Sequence, residues 1–96
     1  GYKYFTIAPK PWEGPLNYAQ AYIDTVRGRV LSRWDKNPDG SLSLVITIPP
    51  NTRAKVVVPK KENMNVNVEP NVTSIASEPM QDIFELPSGT YKFVVK

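Results

Sequence analysis

Ninety-six residues without a single cysteine or histidine exclude a disulfide framework, a thiolate metal site and the imidazole that most often moves protons near neutral pH. A formal charge of +3 comes from twelve scattered Lys and Arg, which form no basic stripe for nucleic acid, and no run approaches the roughly 18 apolar residues of a membrane helix. At 41% apolar content the chain supports one thin-cored domain, and ten prolines with five glycines divide it into short strands.

Tyr2 to Ala8 alternates loosely and stops at Pro9, so a strand is expected there, followed by a loop that Pro11, Gly14 and Pro15 break up. Tyr18 to Thr25 has the two-residue period of a half-buried strand, with Ala19, Ala21 and Ile23 on one face and Gln20, Tyr22 and Asp24 on the other. Val26, Val30 and Trp34 then share one parity, while Arg27, Arg29 and Arg33 take the opposite one. This pattern predicts a hairpin with a solvated Arg face.

Asn37-Pro38-Asp39-Gly40 has the residue order of a type I turn, with Pro fixing φ at the second position and Gly free to take positive φ at the fourth. Leu42, Leu44, Ile46 and Ile48 form a core strand, and Ala54, Val56 and Val58 repeat its pattern after Pro49-Pro50-Asn51-Thr52. Prolines that cannot donate ladder hydrogen bonds, followed by an Asn that tolerates turn geometry, mark that stretch as a turn between two core strands. Lys60 to Asn63 is a polar connection, and Met64 to Val68 reads as a strand that Pro70 ends. Val72 to Ser77 and Gln81 to Leu86 are further strands, and Tyr91, Phe93 and Val95 alternate in a closing one after Pro87-Ser88-Gly89.

Eight or nine short strands at this spacing define an all-β fold, an antiparallel β-sandwich, with a barrel as the alternative. Trp34, Leu42, Leu44, Ile46, Val56 and Phe93 are its expected core.

Few constellations carry chemistry. Asp35 to Gly40 imitates the start of a calcium loop, but Ile46 stands at the twelfth position, where a closing Glu belongs. The hairpin turn is therefore the preferred reading, and neither metal nor cofactor is expected. The carboxylates, Asp82 among them, occur in no distinctive context and are expected to be solvated charges, and a nucleophile triad lacks its base. Trp12, Tyr18 and Tyr22 are the candidates for stacking on sugar rings. No aromatic interleaves Arg27, Arg29 and Arg33, which argues against RNA.

The order of the pieces resembles the C-terminal β-sandwich domain of bacterial α-L-rhamnosidases, glycoside hydrolase family 78. The resemblance is carried by "GYKYFTIAPKP", "AYIDTVRGRVLSRW", "LSLVITIPPNTRAKVVVP" and "LPSGTYKFVV". It covers Gly1 to about Pro59 and Leu86 to Lys96 well, and Lys60 to Glu85 weakly. It implies a non-catalytic accessory domain spanning residues 1–96, packed against an (α/α)6 catalytic barrel of the same polypeptide that releases terminal rhamnose from plant glycans or glycosides. None of these residues matches a catalytic motif of the family. Phe5, Ile7 and Trp12 are the expected docking residues.

Two alternatives remain open: an independent carbohydrate-binding module, with rhamnose-containing carbohydrate as its partner, and an adhesive or surface-array sandwich. The compartment is also open, with a periplasmic or secreted location favoured and any export signal expected outside these residues.

Overall fold

A computed structural model describes residues 3–9, 17–25, 28–61 and 63–96. Its strands are β1 (Lys3–Ile7), β2 (Tyr18–Thr25), β3 (Gly28–Lys36), β4 (Leu42–Ile48), β5 (Thr52–Pro59), β6 (Val66–Glu69), β7 (Ala76–Glu78), β8 (Gln81–Leu86) and β9 (Gly89–Val95). No helix occurs among the described residues.

The strands form two sheets rather than a closed barrel, one in the order β1-β5-β8-β7 and the other in the order β2-β3-β4-β9-β6. The alternation read from the sequence decides what lies between them. Leu42, Leu44, Ile46 and Ile48 of β4 point inward from the five-stranded sheet, and Ala54, Val56 and Val58 of β5 point inward from the four-stranded one. Burying each large side chain contributes about 1.5–3 kcal/mol, so this layer supplies the main driving force for folding. Phe84 and Phe93, from opposite sheets, meet edge to face with centroids 5.2 Å apart, a geometry that ring quadrupoles favour. All six expected core residues are buried.

β4 and β5 follow each other closely, yet they lie in different sheets and do not pair. The intervening Pro-Pro-Asn is thus a corner between layers, with Asn51 at φ 57° and the Thr52 hydroxyl donating to the Pro50 carbonyl at 3.3 Å. Pro49 is buried beneath Gly28. Gly28 has φ +127°, and a Cβ placed there would lie 2.9 Å from the Pro49 Cβ. A side chain at this position would meet both backbone strain and a clash. At the other end of β3, Gly40 N–H donates to the Asn37 carbonyl at 3.0 Å, and Gly40 takes φ +90°, closing the expected turn.

Three features differ from the sequence expectation. β1 runs parallel to β5, so the sandwich is not wholly antiparallel. The strand expected over Val72 to Ser77 shrinks to Ala76–Glu78, because residues 70–74 carry the chain from the β6 sheet to the β7 sheet, and bonding to β8 resumes at Ile75, whose N–H donates to the Ile83 carbonyl at 2.7 Å. Asp82 is not a solvated carboxylate. It shares the inward parity of Phe84 and Leu86 and pairs with Lys60 Nζ at 2.7 Å, with side chains only 12% and 11% exposed. The Ser77 hydroxyl donates to the same Asp82 oxygen at 2.8 Å.

Two outcomes follow from this packing. Gly28→Ala should lower stability by about 2 kcal/mol in urea unfolding, and a change under about 0.5 kcal/mol would contradict the Gly28–Pro49 contact. Asp82→Ala leaves a buried ammonium without its partner and should cost about 3 kcal/mol by the same measurement; a cost below about 1 kcal/mol would place the pair with ordinary surface ion pairs.

Candidate functional site

Hairpin pairing of β2 with β3 sets Tyr18 opposite Asp35, Gln20 opposite Arg33, Tyr22 opposite Leu31 and Asp24 opposite Arg29. All eight share the parity that faces away from the core, because the alternate positions Val30 and Trp34 are buried inside. Tyr18 and Tyr22 are 62% and 54% exposed. Arg29 lies over the Tyr22 ring at 4.0 Å from its centroid, and Arg33 over the Tyr18 ring at 5.8 Å. Aromatics therefore do interleave the arginines, from the neighbouring strand rather than along β3. Arg27 lies outside the described residues.

Each guanidinium is also held by a carboxylate. Arg29 Nε donates to Asp24 Oδ1 at 2.7 Å, and Arg33 donates through Nε and Nη2 to the two Asp35 oxygens, each at 3.2 Å. Arg33 Nη1 reaches Gln20 Oε1 at 3.3 Å. The hydrogen bond from Arg29 holds the Asp24 carboxyl below the usual aspartate range, against a smaller opposing effect of desolvation, and that bond correspondingly raises the Arg29 guanidinium.

Glycosidic acid catalysis requires one carboxyl to stay protonated near neutral pH. Asp24 is shifted the opposite way. So is Asp39, which accepts from the Ser41 hydroxyl at 2.6 Å and the Ser41 N–H at 3.0 Å. Those bonds commit Asp39 to the turn, while Ile46, at the closing position of the calcium-loop likeness, is fully buried in the core. Asp82 is held by Lys60, and Glu85 accepts from Arg53 at 3.0 Å.

On the inner side of the hairpin, the end of β1 and the faces of β2 and β3 enclose an apolar groove of about 230 Å³, bordered by Ile7, Pro9, Ala19, Ala21, Val30 and Trp34, with Tyr22 also at its margin. Ile7 is 9% exposed and belongs to the core, so it forms the floor of this groove rather than a projecting contact. Phe5 is paired with Ala54 in β1, but the docking expectation for its side chain falls outside the described structure, as do the docking and sugar-stacking expectations for Trp12. A second, polar recess lies beside the 37–40 turn, between Asn17, Lys36 and Asn37. Of the sequence candidates, Tyr18 and Tyr22 share the outer face, and Tyr22 also borders the groove that Ile7 floors. The Arg–Tyr stacks were not read from the sequence because periodicity along one strand carries no register with the next.

The geometry defines a β-sandwich domain that offers surfaces: an open Tyr–Arg face and an apolar groove. The family model for the bacterial alpha-L-rhamnosidase C-terminal domain matches residues 1–73, and the chain belongs to that family. It is 34% identical to an alpha-L-rhamnosidase of Formosa agariphila over 103 aligned residues, covering 100% of this chain and 11% of that protein. Against an alpha-L-rhamnosidase of Streptomyces avermitilis the identity is 32%, over 99% of this chain and 9% of that protein. Two solved structures share the fold. The alpha-L-rhamnosidase from Dictyoglumus thermophilum aligns with TM-score 0.80 and 28% identity over 95% of this chain and 11% of its own. The Streptomyces avermitilis enzyme complexed with L-rhamnose aligns with TM-score 0.68 and 29% identity over 83% of this chain and 8% of its own. This chain spans about a tenth of the length of these relatives.

The Asp24–Arg29 pair sets a direction for pH dependence. Its contribution to stability is fully present above the pH where an unfolded aspartate ionises and is lost as pH falls through the lower folded value. NMR titration of the Asp24 carboxyl should give a midpoint below that of an unperturbed aspartate, and Arg29→Gln should raise it. An unchanged midpoint in that variant would remove Arg29 as the cause.

Proposed function

We propose that this chain is the non-catalytic C-terminal accessory domain of an α-L-rhamnosidase, joined to a catalytic (α/α)6 barrel of the same polypeptide that releases terminal α-L-rhamnose from plant glycans or glycosides. The observation that carries this reading is the match of the whole 96-residue chain to only 11% of a rhamnosidase. The chemistry agrees with it. The chain has no histidine or cysteine, and Asp24 and Asp39 are shifted away from the protonated form an acid catalyst needs.

The role of such a domain is mechanical. Its core is built from its own strands, so it can act as a preformed body that binds N-state catalytic chain and stabilises it through linkage. The groove floored by Ile7 and Trp34 is the contact surface favoured by this reading, since an apolar recess rimmed by polar groups is a common mark of a partner site. Pro9 at its edge would present a rigid, apolar rim to a neighbouring domain.

The test compares three proteins: this chain, a parent rhamnosidase carrying it, and the parent truncated before it. The chain alone should release no rhamnose from an aryl rhamnoside, and truncation should lower the melting temperature of the parent by several degrees or prevent soluble expression. Turnover by the isolated chain, or a truncated parent with unchanged melting temperature, would overturn the reading.

A further inference from the structure

The outer face of the β2–β3 hairpin has a use that docking through the inner groove leaves open. We infer that it is a binding platform for a neutral oligosaccharide, with Tyr18 and Tyr22 as stacking rings and Gln20 between them. The site belongs to this face and does not depend on attachment to a catalytic domain.

Spacing comes first. Tyr18 and Tyr22 stand four residues apart on one face of β2, which at about 3.3 Å per residue separates them by roughly 13 Å. That is the span of a short run of linked pyranose rings. β2 is the last strand of its sheet, so an extended chain can lie along the face without meeting a further strand.

Preorganisation comes second. Arg29 packs on the Tyr22 ring while Asp24 holds its guanidinium, and Arg33 is fixed by Asp35 and Gln20 near the Tyr18 ring. Rings held this way lose little rotamer freedom on binding, and Tyr offers a broad amphipathic surface at low entropic cost. Tyr18 and Tyr22 nonetheless remain 62% and 54% exposed as whole residues.

Charge selects the ligand class. The two arginines are balanced by Asp24 and Asp35 at 2.7 and 3.2 Å, so the face sums to zero. An anionic polymer gains no net attraction there and meets two carboxylates. A neutral sugar chain instead finds aromatic planes for its C–H faces, and an amide with guanidinium groups for its hydroxyls.

The test is titration of the isotopically labelled chain, followed by amide NMR shifts, with two neutral probes and one anionic probe. The neutral probes are an α-linked rhamno-oligosaccharide and a xylo-oligosaccharide; the anionic one is an oligogalacturonate of equal length. At least one neutral probe should give saturable shifts confined to residues 18–24 and 29–35, with the oligogalacturonate binding more weakly. Tyr18→Ala and Tyr22→Ala should each weaken binding by about tenfold, with the shifts of β4 and β5 unchanged as a check of folding. Failure of both neutral probes to saturate at millimolar concentration, stronger binding of the anionic probe, shifts centred elsewhere, or unchanged affinity in both variants would overturn the proposal.

Discussion

The structure depends on a corner that prevents two sequential strands from pairing. β4 and β5 carry the most regular apolar alternation in the chain, and with a flexible turn between them they could close as a hairpin. Pro49 and Pro50 supply no N–H for a ladder there, and Asn51 turns the chain in the left-handed region. β5 thereby crosses to the opposite layer and sets its apolar face against that of β4. Gly28 completes the corner by letting the β3 backbone lie on Pro49. Two motifs that carry the family likeness, the Gly-Arg start of β3 and the Ile-Pro-Pro-Asn after β4, are thus two sides of one contact.

Both candidate surfaces descend from that arrangement. β4 templates β3, and β3 templates β2, so the parity fixed by Leu44 and Ile46 determines that Tyr18 and Tyr22 face outward. β5 templates β1 in parallel register, which brings Ile7 and Pro9 over the inner face of the same hairpin and forms the groove. The hairpin has an apolar side that suits a protein neighbour and an aromatic, charge-balanced side that suits a neutral ligand. Neither relies on the solvent-facing ion pairs for stability, which fits how little such pairs contribute to it.

Much of this was legible in the residues. Period-two alternation placed the inward residues of β4, β5 and β9 correctly, and the Asn-Pro-Asp-Gly turn formed as its chemistry required. Alternation reports which face a residue takes, however, and says nothing about which strand lies beside it. For that reason the assignment of β4 and β5 to separate sheets, the parallel partner of β1 and the stacking of arginines on tyrosines were not readable. Asp82 shows a different gap. Its parity with Phe84 and Leu86 pointed inward, but composition alone favours a solvated carboxylate, and Lys60 with the Ser77 hydroxyl makes burial tolerable. In the candidate site, the outward position of Tyr22 was readable and that of Tyr18 followed from it, whereas their fixed orientation required the register with β3.

The central claim is that the sandwich is complete in itself and presents its inner groove, not its Tyr–Arg face, to a catalytic neighbour. Hydrogen exchange of the isolated chain compared with the same residues in an intact parent rhamnosidase tests this most directly. The account predicts equal, strong protection of β4, β5 and β9 in both, with added protection in the parent at residues 6–8, which border the groove and not the Tyr–Arg face. Weak protection of the core strands in the isolated chain, or unchanged protection at residues 6–8 in the parent, would contradict it.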